Sequence, residues 1–332
     1  MKKYDVYGIG NALVDKEFEV DDQLFIDAGI EKGFMTLIDK AKQQSLLELL
    51  LRRYGLKKRA GGGSAANSMF ALSQFGAKVF YSCKVANDEA GHFYMEELGN
   101  HNIETNLGAE REDGSTGRCL VMVTPDAERT MLTSLGISET ISSKELNHAA
   151  IDASHYVYVE GYLVTSPTAK NAVLELKHQA RASGAKFAMT FSDPAMVEYF
   201  RDGINDFIAD GVDLLFCNEK EAMLWSGEDS LEAACKALEK KAKQFAVTRG
   251  AQGALLFDGE RYSDVAPHSV RAIDTNGAGD MFSGAFLFGL SKGYDFETSG
   301  KIASLASSIV VSQFGPRLSP LQHQEILQQL GL

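Results

Sequence analysis

What this 332-residue chain has little of narrows its possibilities first. Proline is scarce, at six residues, while hydrophobic residues reach 45% and charged residues 23%. That balance belongs to a packed globular protein and not to a disordered one. The four cysteines, Cys83, Cys119, Cys217 and Cys235, are far apart and form no CxxC pair. A disulfide framework or zinc site is therefore not expected, and reduced thiols are. Basic residues are outnumbered, 33 Lys and Arg against 45 Asp and Glu, for a net charge of −12. A general nucleic-acid or membrane-surface role is disfavoured, because polyanions would be repelled. Any phosphate ligand must be held by local N–H groups, a metal ion or a few Lys and Arg. No uncharged apolar run approaches membrane-spanning length, and the residues before Tyr4 lack the apolar core of a signal peptide, so a cytoplasmic location is expected. Internal repeats, low-complexity stretches and linkers are also missing, so one α/β domain spanning 1–332 is expected.

What is present centres on Asp274-Thr275-Asn276-Gly277-Ala278-Gly279-Asp280. An apolar helical pattern follows it: Met281, Phe282, Ala285, Phe286 and Leu290. Small residues thus fall where the helix begins, and Asp280 falls in its first turn. Free N–H groups and the positive end of the helix dipole collect there. Small residues let a phosphate approach the backbone, and an acid beside such a pocket can take a proton from an attacking hydroxyl. An ordinary Gly-rich turn with a first-turn Asp has the same local pattern.

The rest of the chain supplies a frame. Tyr4–Ile9 reads as a strand ending in Gly8-Ile9-Gly10-Asn11. This resembles the start of a dinucleotide fingerprint, but Leu13 stands where the third glycine belongs. Val14–Val20 alternates apolar and polar residues, as a half-exposed strand does. Asp15 is expected at the end of the first strand, where open α/β sheets bind ligands. Gly33–Ile38 reads as a strand, and Asp39 caps a helix to about Arg53. Ala60-Gly61-Gly62-Gly63-Ser64-Ala65-Ala66-Asn67 reads as a Gly-rich strand-to-helix turn, with the helix ending near Phe75-Gly76. Gly117–Thr124 and Arg129–Thr133 form a hairpin without a following helix, the mark of a flap. It joins the early strands in a small lid drawn from 13–38 and 115–135. From His155 a βα rhythm of strands at His155–Glu160, Lys186–Thr190 and Asp213–Phe216 argues for a parallel, doubly wound sheet. Asn218-Glu219-Lys220-Glu221 follows the last of these, either as a plain N-cap or as a group serving a metal-bound water. Thr248-Arg249-Gly250-Ala251-Gln252-Gly253 makes a turn between strands, and Ser299–Phe314 reads as an apolar helix.

Taken together, these stretches resemble the ribokinase-like (PfkB) family of carbohydrate and nucleoside kinases. Ala60–Asn67 looks like its first signature and Asp274–Asp280 like its second, with Asn218-x-x-Glu221 and Thr248-x-Gly250-x-x-Gly253 between them in order. The resemblance implies a ribokinase-like, doubly wound, mainly parallel sheet flanked by helices, with a small β-sheet lid. It implies an ATP-dependent kinase in which Asp280 is the base and Gly277, Ala278 and Gly279, with the Asp280 N–H, form an anion hole. Asn218 and Glu221 would organise Mg²⁺ through water, and Asn218, Thr248, Gly250 and Gly253 would line the ATP site. Asn11, Asp15, Gly62, Gly63 and Asn67 would hold the acceptor's hydroxyls. A monovalent cation, usually K⁺ in the family, would lie among backbone groups around Asp274, Asn276, Val310, Gln313 and Gly315, with Ser319.

Gly10–Asp15, Asp274–Gly277 and Glu128–Met131 resemble the adenosine-kinase branch, which implies a purine nucleoside phosphorylated at its 5′-hydroxyl. Phe18, Met35, Met131 and Leu132 are candidates for an apolar slot around the base. A ribose, fructose or 2-keto-3-deoxygluconate kinase is the alternative. An NAD-dependent oxidoreductase and a catalytically silent binding homologue remain as other classes. The expected partners are small molecules, with no nucleic acid or membrane. A homodimer through the lid is a further expectation, since some relatives pair that way.

Overall fold

The computed structural model describes residues 2–332. Its centre is a nine-stranded sheet. In chain order it uses β1 (Tyr4–Ile9), then β5 (Val79–Ser82) and β6 (Glu104–Thr105) after three lid strands, and later β9 (Ser154–Glu160), β10 (Lys186–Thr190), β11 (Val212–Asn218), β12 (Ala242–Thr248), β13 (Ala254–Phe257) and β14 (Tyr262–Val265). The spatial order is β14-β13-β12-β11-β10-β9-β1-β5-β6. All neighbours are parallel except the last hairpins, β12 with β13 and β13 with β14. The inner strands are apolar on both sides, as a sheet covered on both faces requires. Val157, Val159, Phe187, Met189, Leu215 and Phe245 pack on one side; Val6, Tyr158, Ala188, Leu214 and Phe216 pack on the other.

Helices form the outer layers. On one side lie α3 (Ser64–Gln74), α4 (Glu89–Asn100), α11 (Ala278–Ser291), α12 (Phe296–Val310) and α13 (Pro320–Gln329). On the other lie α5 (His148–Asp152), α6 (Pro167–Ser183), α7 (Pro194–Tyr199), α8 (Arg201–Ile208), α9 (Glu219–Ser226) and α10 (Leu231–Leu238). The chain leaves β1 towards β5 and returns later at β9, so the strand order reverses between β1 and β9. Ligands gather at the carboxyl ends of the strands at such a switch point.

A second, five-stranded sheet has the order β3-β8-β7-β2-β4: β3 (Met35–Leu37), β8 (Arg129–Ser134), β7 (Gly117–Val123), β2 (Leu13–Glu19) and β4 (Lys58–Gly62). Four strands come from the two stretches expected to form the lid, and β4 is an addition. The residues read as a bare Gly-rich turn are a lid strand up to Gly62, and only Gly63 turns the chain into α3. Alternation divides the lid's side chains. Phe18, Val20, Leu120, Met122 and Leu132 face away from the main sheet and pack under α1 (Gln23–Ala28) and α2 (Lys40–Arg53). Asp39 caps α2 as expected, accepting from the Lys42 N–H. Cys119, Val121, Val123 and Met131 form the inner face.

Three expectations are corrected here. Asp15 is not at the end of the first strand but inside β2, because the chain turns into the lid immediately after Ile9. Phe18 and Leu132 belong to the lid's own core, on the far side from any ligand. The apolar helix near the carboxyl end starts at Phe296, capped by Asp295, and stops at Val310, short of Phe314. The lid's outer face is covered by α1 and α2, and β4 is engaged at Gly61, whose N–H bonds the Glu97 carboxylate at 2.5 Å. A dimer through the lid would therefore have to use the β3 edge. No helix among the described residues is long and apolar enough to cross a membrane.

Candidate active site

A cleft opens between the lid and the carboxyl ends of β1 and β9. It gathers Asn11, Asp15, Gly63, Asn67, Asn276, Gly277, Gly279 and Asp280 from the residues expected on sequence grounds. Met35 and Met131, expected as apolar-slot residues, line it too; the cleft adds Ser64, Arg129, Glu160 and Tyr162, with Leu13, Leu37 and Leu135 completing the apolar wall.

Asp280 sits in the first turn of α11, whose N-cap Gly277 has φ 75°. A Cβ at Gly277 would lie 2.3 Å from Pro316 Cβ, so both conformation and space demand glycine there. The Asp280 carboxylate is held from α3. Ser64 Oγ donates to Oδ1 at 2.6 Å and Asn67 Nδ2 to Oδ2 at 3.0 Å. Asn67 Oδ1 in turn accepts from Arg317 Nε at 3.0 Å, and Arg317 pairs with Glu97 at 3.1 Å. Burial raises the Asp280 pKa, while Ser64, Asn67, Arg129 and Arg317 pull it down. The result is a fixed carboxylate that still accepts a proton more readily than one in water. The N–H groups of Gly279 and Asp280 have no hydrogen-bond acceptor among the described residues.

Glu160, at the end of β9, is fully buried and was not anticipated. Its Oε1 accepts from the Asn11 N–H and from Asn11 Nδ2, each at 2.8 Å, and its Oε2 accepts from the Ala65 N–H at 2.7 Å. Burial pushes its pKa up to about 7 in spite of these donors. Gly10 is small for this carboxylate: a Cβ there would lie 2.6 Å from Glu160 Oε2. That close approach accounts for Gly10 without a dinucleotide, and Gly8 is small because a Cβ there would lie 2.8 Å from Met69 Sδ. Asp15, buried in the lid, has one oxygen without a partner, and burial raises its pKa strongly, helped by Glu17. Gly62 does not line the cleft. Its role is to admit Asp15, whose carboxylate would lie 2.1 Å from a Cβ at that position.

Arg129 reaches the cleft from β8 with no carboxylate paired to it among the described residues; its nearest recorded side-chain partner is Met131 Sδ at 3.7 Å. Burial works against its charge, but Tyr162 and Asp193 lie close enough to raise its pKa overall.

The expected ATP-side residues stand outside this cleft, farther along the same sheet edge. Asn218 and Thr248 are register partners at the ends of β11 and β12. Asn218 caps α9 and closes a reciprocal box with Glu221: its N–H and Nδ2 bond the two Glu221 oxygens at 2.9 and 2.8 Å. Glu221 is buried, and its pKa is raised to about 8 by that burial. Gly250 is open to solvent at φ 53°. Gly253 instead packs against β14, where a Cβ would meet Val265 O at 2.1 Å. No cluster of three or more metal-ligating side chains occurs among the described residues. Both Glu221 oxygens are bonded to Asn218, so the pair leaves no direct ligand for Mg²⁺ and is open to one only through water.

The chain is similar to known proteins over most of its length. A family model described as pfkB family carbohydrate kinase matches residues 48–323. The adenosine kinase of Sinorhizobium meliloti superposes with a TM-score of 0.90, at 33% identity, over 97% of this chain and 99% of that one. The chain is 26% identical over 346 residues to the adenosine kinase of Schizophyllum commune, covering 96% of this chain and 97% of the relative. It is 30% identical over 240 residues to the ribokinase of Mus musculus, covering 69% and 71%. The fold and site define a phosphotransferase with an alcohol group as acceptor. The chain belongs to the pfkB family of carbohydrate kinases, near its adenosine-kinase branch.

Proposed function

We propose that this kinase transfers the γ-phosphoryl group of ATP to the 5′-hydroxyl of adenosine or a related purine nucleoside. The carrying observation is the two-sided cleft. One end holds the Asp280 carboxylate and the free N–H groups of α11; the lid side carries Asp15 beside an apolar wall of Met35, Leu37, Met131 and Leu135. A ribose needs the polar part, while a flat apolar base needs the wall.

In this reading Asp15, Asn11, Gly63 and Asn67 hold the ribose hydroxyls. Asp280 takes the proton from the 5′-hydroxyl as its oxygen bonds the γ-phosphorus and the bond to ADP breaks. The N–H groups of Gly279 and Asp280, at the positive end of α11, face the charge on the transferring group, and Arg129 adds a positive charge from the lid. Asn218 and Glu221 would hold a hydrated Mg²⁺, which would supply charge neutralisation for the polyphosphate, and Thr248, Gly250 and Gly253 flank the nucleotide. The inner lid face excludes water from the transfer.

The 30% identity to a ribokinase favours one second reading, a free sugar as acceptor. ATP-dependent ADP release with a panel of nucleosides and sugars separates the two. Turnover with adenosine at a KM well below that for ribose supports the nucleoside; turnover with free sugars alone removes it, and tight nucleoside binding without turnover identifies a silent homologue.

A further inference from the structure

Behind the anion-hole loop lies a buried charge cluster that the transfer chemistry does not use. Glu17 and Lys58 are cross-strand partners on β2 and β4. Glu17 is fully buried, and neither of its carboxylate oxygens has a hydrogen-bond partner. Asp274, also fully buried, opens the loop that carries Gly277 to Asp280. Its two oxygens accept from the N–H groups of Asn276 at 2.8 Å and Gly315 at 2.9 Å. Burial raises the Glu17 pKa to about 7, and the next largest cause is the charge of Asp274. Two carboxylates thus share one interior site, an expensive arrangement without a cation. Lys58 offsets part of this charge from beyond ion-pair distance, its charge pulling the Glu17 pKa down. Its Nζ donates to Phe314 O at 3.2 Å, and a Cβ on Gly315 would lie 2.3 Å from Nζ. Gly315 has φ 92°, so both the turn and the ammonium require a glycine.

This is the neighbourhood in which family resemblance places a monovalent cation, and its side-chain oxygens and the Val310 carbonyl are already engaged. Both Asp274 oxygens already hold N–H groups. The Val310 carbonyl accepts from the Gln313 N–H at 3.3 Å. The Ser319 hydroxyl is used in the capping box of α13, and the Gln313 side-chain oxygen accepts from Gln322 at 2.9 Å. A K⁺ beside Gly315 would also meet the like charge of Lys58.

We propose that the Lys58 ammonium, delivered by lid strand β4, serves as a built-in cation behind the anion hole, so that turnover needs no added monovalent ion. A lysine suits the task, being a compact charge on a flexible stem. The proposal rests on the kinase reading of the site, and its test includes a measurement that does not need turnover.

Turnover and thermal unfolding are compared in choline chloride and in KCl at matched ionic strength of about 0.1 M, so that screening is equal. The wild-type kcat is expected to differ by less than about twofold between the salts, with the same Tm. Lys58→Met is expected to lose about tenfold in kcat in choline, a barrier rise of about 1.4 kcal/mol. KCl or NH₄Cl should restore most of that loss and should raise the Tm of the variant selectively. A wild-type enzyme that needs K⁺, or a folded Lys58→Met that responds to no cation, overturns the proposal. Should Lys58→Met not fold in choline, Glu17→Gln with Lys58→Met removes both charges; it is expected to become K⁺-responsive in Tm, and indifference overturns the proposal. If adenosine is not the acceptor, the kinetic arm is silent in every salt while the unfolding arm still decides the cation's role.

Discussion

Two helices in this protein begin in the same way and end up with opposite tasks. Helices α3 and α11 each follow a glycine with positive φ, Gly63 at 99° and Gly277 at 75°, and each opens with small residues. At α3 the fold supplies its own anion: the Glu160 carboxylate accepts the Ala65 N–H. At α11 no internal anion arrives, and the N–H groups of Gly279 and Asp280 stay uncommitted. The sealed end then serves the open one, since Ser64 and Asn67 of α3 hold Asp280 of α11. A glycine-led helix start is thus necessary for an anion site without being sufficient; what matters is whether the fold fills it.

The contrast can be broken at either end. Asp280→Asn is expected to keep ATP affinity while kcat falls by about 10²- to 10⁴-fold, the usual cost of a lost general base. Steady-state kinetics with nucleotide-binding titration checks this, and near-wild-type turnover removes Asp280 as the base. At the sealed end, Glu160→Ala strands three N–H donors. It should lower unfolding stability by about 2–4 kcal/mol in urea titrations, on the scale of a buried, charge-accepting network. An unchanged midpoint would mean the cap at α3 is idle.

Gly279→Ala separates structure from ligand approach. A Cβ there meets nothing within 4 Å, so the fold tolerates it. Stability should be unchanged or slightly raised, while kcat falls about 10-fold or more as the methyl crowds the incoming phosphate. Gly277→Ala, by contrast, should cost stability through Pro316.

pH should divide the two ends as well. Asp280 works unprotonated, so turnover is lost as pH falls through its pKa. Burial raises that value above 3.8, and the acid limb of kcat/KM should lie correspondingly higher. Glu160 acts on stability with the opposite sign. Its folded pKa of about 7 lies above the ordinary glutamate value of 4.5, so its contribution is full below about 4.5 and is lost as pH rises through about 7. The smallest expected effect is that Glu160→Gln flattens this slope in unfolding curves recorded across that window.

Much of the architecture was legible along the chain because it rests on local rules. Strand β1, the capped helix α2 and the Asn218–Glu221 box appeared with nearly their expected bounds, as periodicity and capping act within a few residues. Helices α7, α8 and α10 were missed because they are only 6, 8 and 8 residues long and fall in stretches read as connections between strands. Strand β4 was missed because its glycines look like a turn, and only pairing with β2 makes them extended. Alternation in the lid was visible, but not which face meets the cleft; Met35 and Met131 proved to line it, while Phe18 and Leu132 do not.

By itself, then, the sequence determined a doubly wound sheet, a glycine-led helix carrying Asp280, and the class of chemistry that follows, because each depends on neighbours in the chain. Only the tertiary structure decided which helix start is sealed and which is open. Glu160 lies 95 residues from the N–H it caps, Arg317 lies 250 residues from the amide it orients, and Lys58 lies 256 residues from the carbonyl it reaches. Contacts of that separation leave no periodic trace along the chain; they exist only once the sheet has brought its carboxyl ends together and laid the lid across them.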